Sequence, residues 1–165
     1  MRIRRWWALA GWLALPLLAG AAGAVASLDA REFYTALVRP AWAPPGGAFG
    51  PVWTALYLMM GTAAWLVWQA EPATAPLAEA RRIGLRLFVV QLGLNAAWTW
   101  LFFAWRLGAA ALGEIVTLWA FIAATAWCFG RVRRIAGWLL VPYLAWVTFA
   151  TALTWALWRA NPRLL

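Results

Sequence analysis

The chain has 165 residues, 66% of them hydrophobic and 12% charged, with a mean hydropathy of +0.73. That balance excludes a soluble domain, which needs far more surface charge to stay dissolved. The net charge of +9 does not indicate nucleic acid either. All 14 basic residues are arginine, and most sit in short clusters between apolar runs: Arg2, Arg4, Arg5; Arg81, Arg82; Arg131, Arg133, Arg134. Such clusters suit topology signals and lipid headgroups rather than a phosphate-tracking groove.

In chain order, the first predicted span covers residues 6–28. The opening MRIRRWWALAGWLALPLLAGAAGAVAS begins like a signal peptide, with basic residues, an apolar stretch and AVA before Ser27. Its apolar run is longer than a usual signal core. Small residues recur at four-residue spacing (Ala19/Gly23, Gly20/Ala24), as in helices that pack closely in lipid. Retention as a first helix is therefore expected. A connection, 29–50, follows. Further spans are predicted at 51–70, 83–105, 107–130 and 135–158, the fourth broken only by Glu114.

About 20 apolar residues cross the hydrocarbon, and these runs are continuous rather than alternating, which selects helices over a barrel. The expected fold is an all-α membrane protein, one five-transmembrane-helix bundle over residues 1–165. With the N-terminus inside, nine arginines lie inside and five outside, favouring N-in and C-out.

What is missing narrows the chemistry. With no histidine there is no imidazole metal site, no His-ligated haem and no Ser-His or Cys-His catalysis. Cys128 is the lone cysteine and reads as a small packing residue within a helix. No metal site is expected, and no cofactor is required. Glu114 carries two readings: a solvated carboxylate near the interface, or an intramembrane functional group.

Sixteen tryptophans dominate the composition. Trp6, Trp7, Trp65, Trp68, Trp105, Trp127, Trp138 and Trp158 fall near span ends, where indoles settle at the interface. Trp53, Trp98, Trp100, Trp119 and Trp146 are less easily accounted for in this way. Helical spacing puts Trp53, Tyr57 and Met60 on one face of the second span. It does the same for Gln91, Asn95, Trp98 and Phe102 on the third, and for Tyr143, Trp146, Ala150 and Thr154 on the fifth. Aromatic stripes usually mean packing, but mid-span Gln91 and Asn95 need polar partners that lipid does not supply. At about 1.5 Å per residue, these groups fall in overlapping layers beneath the 29–50 connection.

That connection contains RPAWAPPGGAFG. Pro40, Pro44 and Pro45 restrict the backbone, Gly46 and Gly47 permit a reversal, and Trp42 and Phe49 supply apolar surface. A preorganised lid over an aromatic pocket is expected; an interfacial loop anchored by Trp42 is the plainer reading.

RPAWAPPGGAFGPVWTALYLMMGTAAW resembles the first-loop and second-helix signature of the TspO/translocator protein family, the peripheral-type benzodiazepine receptors. QLGLNAAWTWLFF (91–103) and GWLLVPYLAWVTFATAL (137–153) are similar to its third- and fifth-helix signatures, in the same order. The resemblance covers nearly the whole chain and points to a bacterial member in the cell membrane.

The resemblance implies a five-helix bundle, commonly a homodimer, that binds porphyrins, sterol-like lipids and benzodiazepine or isoquinoline ligands. Carried over by position, the family's pocket falls on Trp42, Pro44, Pro45, Phe49, Trp53, Tyr57, Asn95, Trp98, Tyr143, Trp146 and Ala150. A light-dependent breakdown of protoporphyrin attributed to some relatives would fall on Trp53 and Trp146. Two departures stand out. Thr154 and Trp155 follow Leu153 where many relatives read Leu-Asn after the fifth-helix Ala. In the sterol-recognition pattern, Trp155 replaces the tyrosine before Arg159, so the pattern is incomplete.

Three function classes stay open. One is a tetrapyrrole-binding receptor, sensor or carrier, for which indoles without an axial ligand suit metal-free porphyrin. Another is a light-dependent porphyrin-degrading enzyme. The third is a proton-coupled exporter of aromatic cations using Glu114.

Overall fold

The computed structural model describes residues 2–165, with side chains from Trp6 onward. The side chains of Arg2, Arg4 and Arg5, on which part of the charge asymmetry rests, lie outside the described residues. The elements run α1 (Arg2–Val25), α2 (Ala30–Ala36), a 3-10 turn (Gly46–Ala48), α3 (Phe49–Trp68), α4 (Ala75–Thr99), a π-helical turn (Trp100–Ala104), α5 (Gly108–Val132) and α6 (Arg134–Ala160). Among the described residues there is no strand, and five helices are long and apolar enough to cross a membrane. They make the chain a multi-pass membrane protein.

Helix α5 packs against both α4 and α6, α1 against α3 and α4, and α3 against α6. Phe88 and Phe129 stack at 5.9 Å in the α4–α5 seam, and Met60, Ile115, Leu118, Ile122 and Leu140 fill the core around them. The predicted small-residue face of α1 meets the bundle: Gly20 lies against the Tyr57 ring and Gly23 against Thr99. At the α1–α3 crossing, a Cβ on Gly61 would fall 2.7 Å from the Trp12 carbonyl oxygen, so only a glycine permits that approach. Cys128 sits beside Gly84, in the packing role its sequence position suggests.

The structure differs from the expected spans in three places. First, the third helix begins at Ala75 rather than at 83. APLAEARRIGLR is rich in strong helix formers, and Pro76 in the first turn pre-sets the backbone, so the helix runs on past the apolar segment. The arginines there also have contacts: Arg81 donates to the Val67 carbonyl at 3.2 Å and to that of Trp68, closing the end of α3.

Second, the 29–50 connection is only partly extended. AREFYTA forms α2, because Phe33, Tyr34 and Leu37 turn one apolar edge onto Phe102, Leu153 and Leu157. Third, α4 ends in a π-turn: Trp105 N–H reaches the Trp100 carbonyl at 2.9 Å, and Leu107 N–H that of Leu101 at 2.9 Å. Arg106 then takes φ 56°, a left-handed conformation rare for a side-chain-bearing residue, and its guanidinium lies 4.8 Å over the Phe33 ring.

Candidate functional site

Helix α3 starts immediately after the Gly46–Ala48 turn, with Pro51 tolerated in its first turn because the N–H there has no intrahelical acceptor to lose. Its first inward face carries Trp53 and Tyr57, whose rings stack at 5.4 Å. Behind them lies a polar chain. The Tyr57 hydroxyl donates to Asn95 Oδ1 at 3.0 Å, and Asn95 Nδ2 donates to the Tyr143 hydroxyl at 3.2 Å. The chain ties α3, α4 and α6 together through one amide. Asn95 and Tyr143 are buried, and the Tyr143 ring stands edge-on to Trp53 at 6.0 Å.

In front of this layer is a cavity of about 730 Å³, within the usual range for small-molecule sites. Trp53, Tyr57 and Phe49 come from α3, Trp98 and Thr99 from α4, Phe103 from the π-turn, and Trp146 and Ala150 from α6. Gly20, Gly23 and Ala24 of α1, with Ser27 in the turn after it, also line the cavity. Arg31, Tyr34 and Thr35 of α2, with Pro45, Gly46 and Gly47, complete the lining and belong to the segment expected from sequence to act as a lid. Arg31 is the charged member of this lining, which includes no carboxylate among the described residues.

The lid is held internally. Tyr34 donates its hydroxyl to the Pro44 carbonyl at 2.9 Å, and the Arg39 guanidinium lies 5.0 Å over the Tyr34 ring. Burial raises the Tyr34 pKa against the lowering effect of Arg39, which favours the neutral phenol that makes this bond. Aromatic edges seat the lid on the bundle: Tyr34 against Phe49 at 5.5 Å, Phe49 against Trp146 at 5.9 Å, and Trp42 against Phe149 at 5.7 Å.

Of the residues singled out by sequence, Pro45, Phe49, Trp53, Tyr57, Trp98, Trp146 and Ala150 line this one cavity. Asn95 and Tyr143 form the layer behind it, Pro44 supplies the carbonyl that Tyr34 holds, and Trp42 packs half-exposed on Phe149. Trp100 and Trp119 have partners elsewhere, donating to the Ala22 carbonyl at 3.2 Å and to Thr148 Oγ1 at 2.8 Å. The indole N–H groups of Trp98 and Trp146 are buried with no hydrogen-bond partner among the described residues. Both rings line the cavity, but these two N–H groups are themselves enclosed by neighbouring atoms and present only the ring to it.

Gln91 is buried against Met60, with Nε2 at 3.9 Å from Sδ. Both Glu114 oxygens are enclosed without a hydrogen-bond partner among the described residues, while the residue as a whole is part-buried, six residues into α5. Glu114 does not line the cavity. Sequence reasoning did not name Arg31, Tyr34, Gly20 or Phe103 as lining residues. The small-residue spacing pointed to Gly20, but only as packing; nothing in the linear pattern folds α2 back over the bundle.

Five helices long and apolar enough to cross a membrane, gathered around an aromatic-lined cavity, define an integral membrane protein with an internal cavity. Residues 12–159 match the TspO/MBR family, and the chain belongs to it. It is 42% identical over 159 residues to the tryptophan-rich protein TspO of Chlorobaculum tepidum, covering 93% of this chain and 96% of that one. It is 39% identical over 136 residues to the tryptophan-rich sensory protein of Cereibacter sphaeroides, covering 82% and 81%. To the human translocator protein it is 37% identical over 133 residues, covering 81% and 77%.

Proposed function

We propose that the chain binds a planar tetrapyrrole of the protoporphyrin kind in this cavity, as a receptor or carrier rather than as a haem protein. The observation that carries the reading is the convergence of Trp53, Trp98 and Trp146 on one chamber. Flat indoles offer a large stacking face to a planar ring. The chain has no histidine to serve as an axial ligand, which favours a metal-free ring. Arg31 at the mouth suits a ligand carboxylate, and a lining without carboxylates does not favour an aromatic cation.

Tryptophan fluorescence in detergent, titrated side by side with protoporphyrin, haem and a sterol, tests this. Saturable quenching by protoporphyrin, with haem no tighter, is expected; quenching no greater than for free tryptophan overturns it. Arg31→Glu is expected to weaken protoporphyrin about fivefold and to leave an uncharged isoquinoline ligand unchanged, since an exposed ion pair contributes about 1 kcal/mol at most. Equal loss for both ligands would remove the carboxylate contact.

A light-dependent degradation of bound porphyrin is the second reading, favoured by the placement of both Trp53 and Trp146 on the cavity wall. Phenylalanine keeps an aromatic face but is much harder to oxidise than indole. In Trp53→Phe or Trp146→Phe, the enzyme reading expects near-normal binding with loss of light-dependent porphyrin consumption. Equal bleaching by wild type, both variants and protein-free detergent would leave a binding protein only.

A further inference from the structure

We propose that Asn161 is the latch of the lid, and that its paired hydrogen bonds to Val38 set the rate at which the cavity opens to exchange its ligand. The second clause rests on the cavity being a ligand site. Asn161 is the first residue past α6 and is buried, 5% exposed. Its Oδ1 accepts from Val38 N–H at 2.8 Å, while its Nδ2 donates to the Val38 carbonyl at 3.0 Å and to the Leu157 carbonyl at 2.8 Å. The primary amide thus copies the paired N–H and C=O of a neighbouring strand for one residue. Only a side chain with both a donor and an acceptor can do this, and the two donor contacts fix which way the amide points.

Val38 lies at the root of the lid, between α2 and the proline-rich stretch. From there to the cavity the lid is tied into one piece by Tyr34 on Pro44, Arg39 over Tyr34, and the Ala43 N–H on the Pro40 carbonyl at 3.0 Å. Among the described residues, Asn161 makes the only side-chain hydrogen bonds between residues 30–45 and the helices that cross the membrane or their ends. The other attachments are apolar and aromatic, such as Phe33 on Phe102 at 6.2 Å and Trp42 on Phe149, with the Arg106 guanidinium over the Phe33 ring. Such contacts are non-directional and permit sliding, whereas a pair of backbone-directed hydrogen bonds fixes one position. The latch is itself anchored, because the Leu164 and Leu165 N–H groups close onto the Asn161 carbonyl at 3.0 and 3.1 Å. Releasing Val38 therefore loosens a pre-tied unit whose far end, Pro45 to Gly47, lines the chamber.

Hydrogen exchange of the full chain in detergent, without ligand, tests the latch directly. In Asn161→Ala, amides from Leu37 to Ala48 are expected to exchange roughly tenfold faster or more, with α3, α4 and α5 unchanged, as loss of two such bonds implies. Asn161→Asp keeps the acceptor for Val38 N–H and loses both donors. With a carboxylate oxygen set against the Val38 and Leu157 carbonyls, it should accelerate lid exchange at least as much, and it carries the test if the alanine variant does not fold. The protoporphyrin dissociation rate, read from recovery of tryptophan fluorescence, should rise by a similar factor in each variant. Acceleration confined to residues 157–165 would reduce Asn161 to a helix cap, and unchanged lid exchange would overturn the latch. Faster lid exchange with an unchanged dissociation rate would overturn its control of ligand exchange. If wild type itself fails to bind protoporphyrin while the variants still loosen the lid, the latch stands and the tetrapyrrole reading falls.

Discussion

Gly137→Val is expected to leave little folded protein in the membrane, while Gly130→Ala, on the facing helix, is expected to melt like wild type or slightly above it. The two glycines face each other across the α5–α6 hairpin, whose connection is the single residue Arg133 between helices ending at Val132 and starting at Arg134. So short a connection forces the helix ends together. A Cβ built on Gly137 falls 2.8 Å from the Gly130 Cα and 3.1 Å from the Ala126 carbonyl oxygen, which are backbone atoms that no rotamer change can move. A Cβ on Gly130 has nothing nearer than the Gly137 Cα at 3.9 Å, an ordinary contact. Overpacking of this kind costs about 1–3 kcal/mol where neighbours can yield, and more where they cannot. Thermal unfolding of both variants in detergent, together with the yield extracted from membranes, checks this. A Gly137→Val protein that accumulates and melts normally would mean that the hairpin is not held this tightly.

Asn95→Ala is expected to destabilise the ligand-free protein by about 2 kcal/mol or more and to affect ligand affinity only through Tyr57. The substitution strands the Tyr57 hydroxyl without its acceptor, deprives the Tyr143 hydroxyl of its donor, and leaves a small void where three helices meet. Buried polar groups left unpaired cost about 1–3 kcal/mol each. The double-mutant cycle with Tyr57→Phe isolates the network. In the phenylalanine background there is no donor left to strand, so Asn95→Ala should cost less there, by about 0.5–3 kcal/mol of coupling. If affinity for protoporphyrin falls while the ligand-free melting temperature and the coupling stay at wild-type values, Asn95 addresses the ligand rather than the helices.

Much of this molecule is legible in one dimension. Apolar runs of crossing length dictate five helices because lipid offers the backbone no hydrogen-bond partners, and that constraint acts on each segment independently of its neighbours. Helical periodicity likewise puts Trp53 with Tyr57 and Trp146 with Ala150 on common faces, since the 3.6-residue repeat is a local property. The proline-rich stretch reads as stiff for the same kind of reason, as each ring restricts its own φ.

Other features needed the packed chain. Whether Asn95 faces a ligand or two tyrosines depends on how α3, α4 and α6 converge. Equal spacing along α4 serves Asn95 and Trp98 alike, yet one closes a polar chain behind the wall and the other lines the cavity. Whether Glu114 meets water depends on the helices around α5. The folding of AREFYTA into a lid helix is decided by Phe102, Leu153 and Leu157, far along the chain, and the pairing of Val38 with Asn161 joins residues 123 positions apart. Periodicity tells a side chain which way to point from its own axis; it carries no information about which distant backbone will be waiting there.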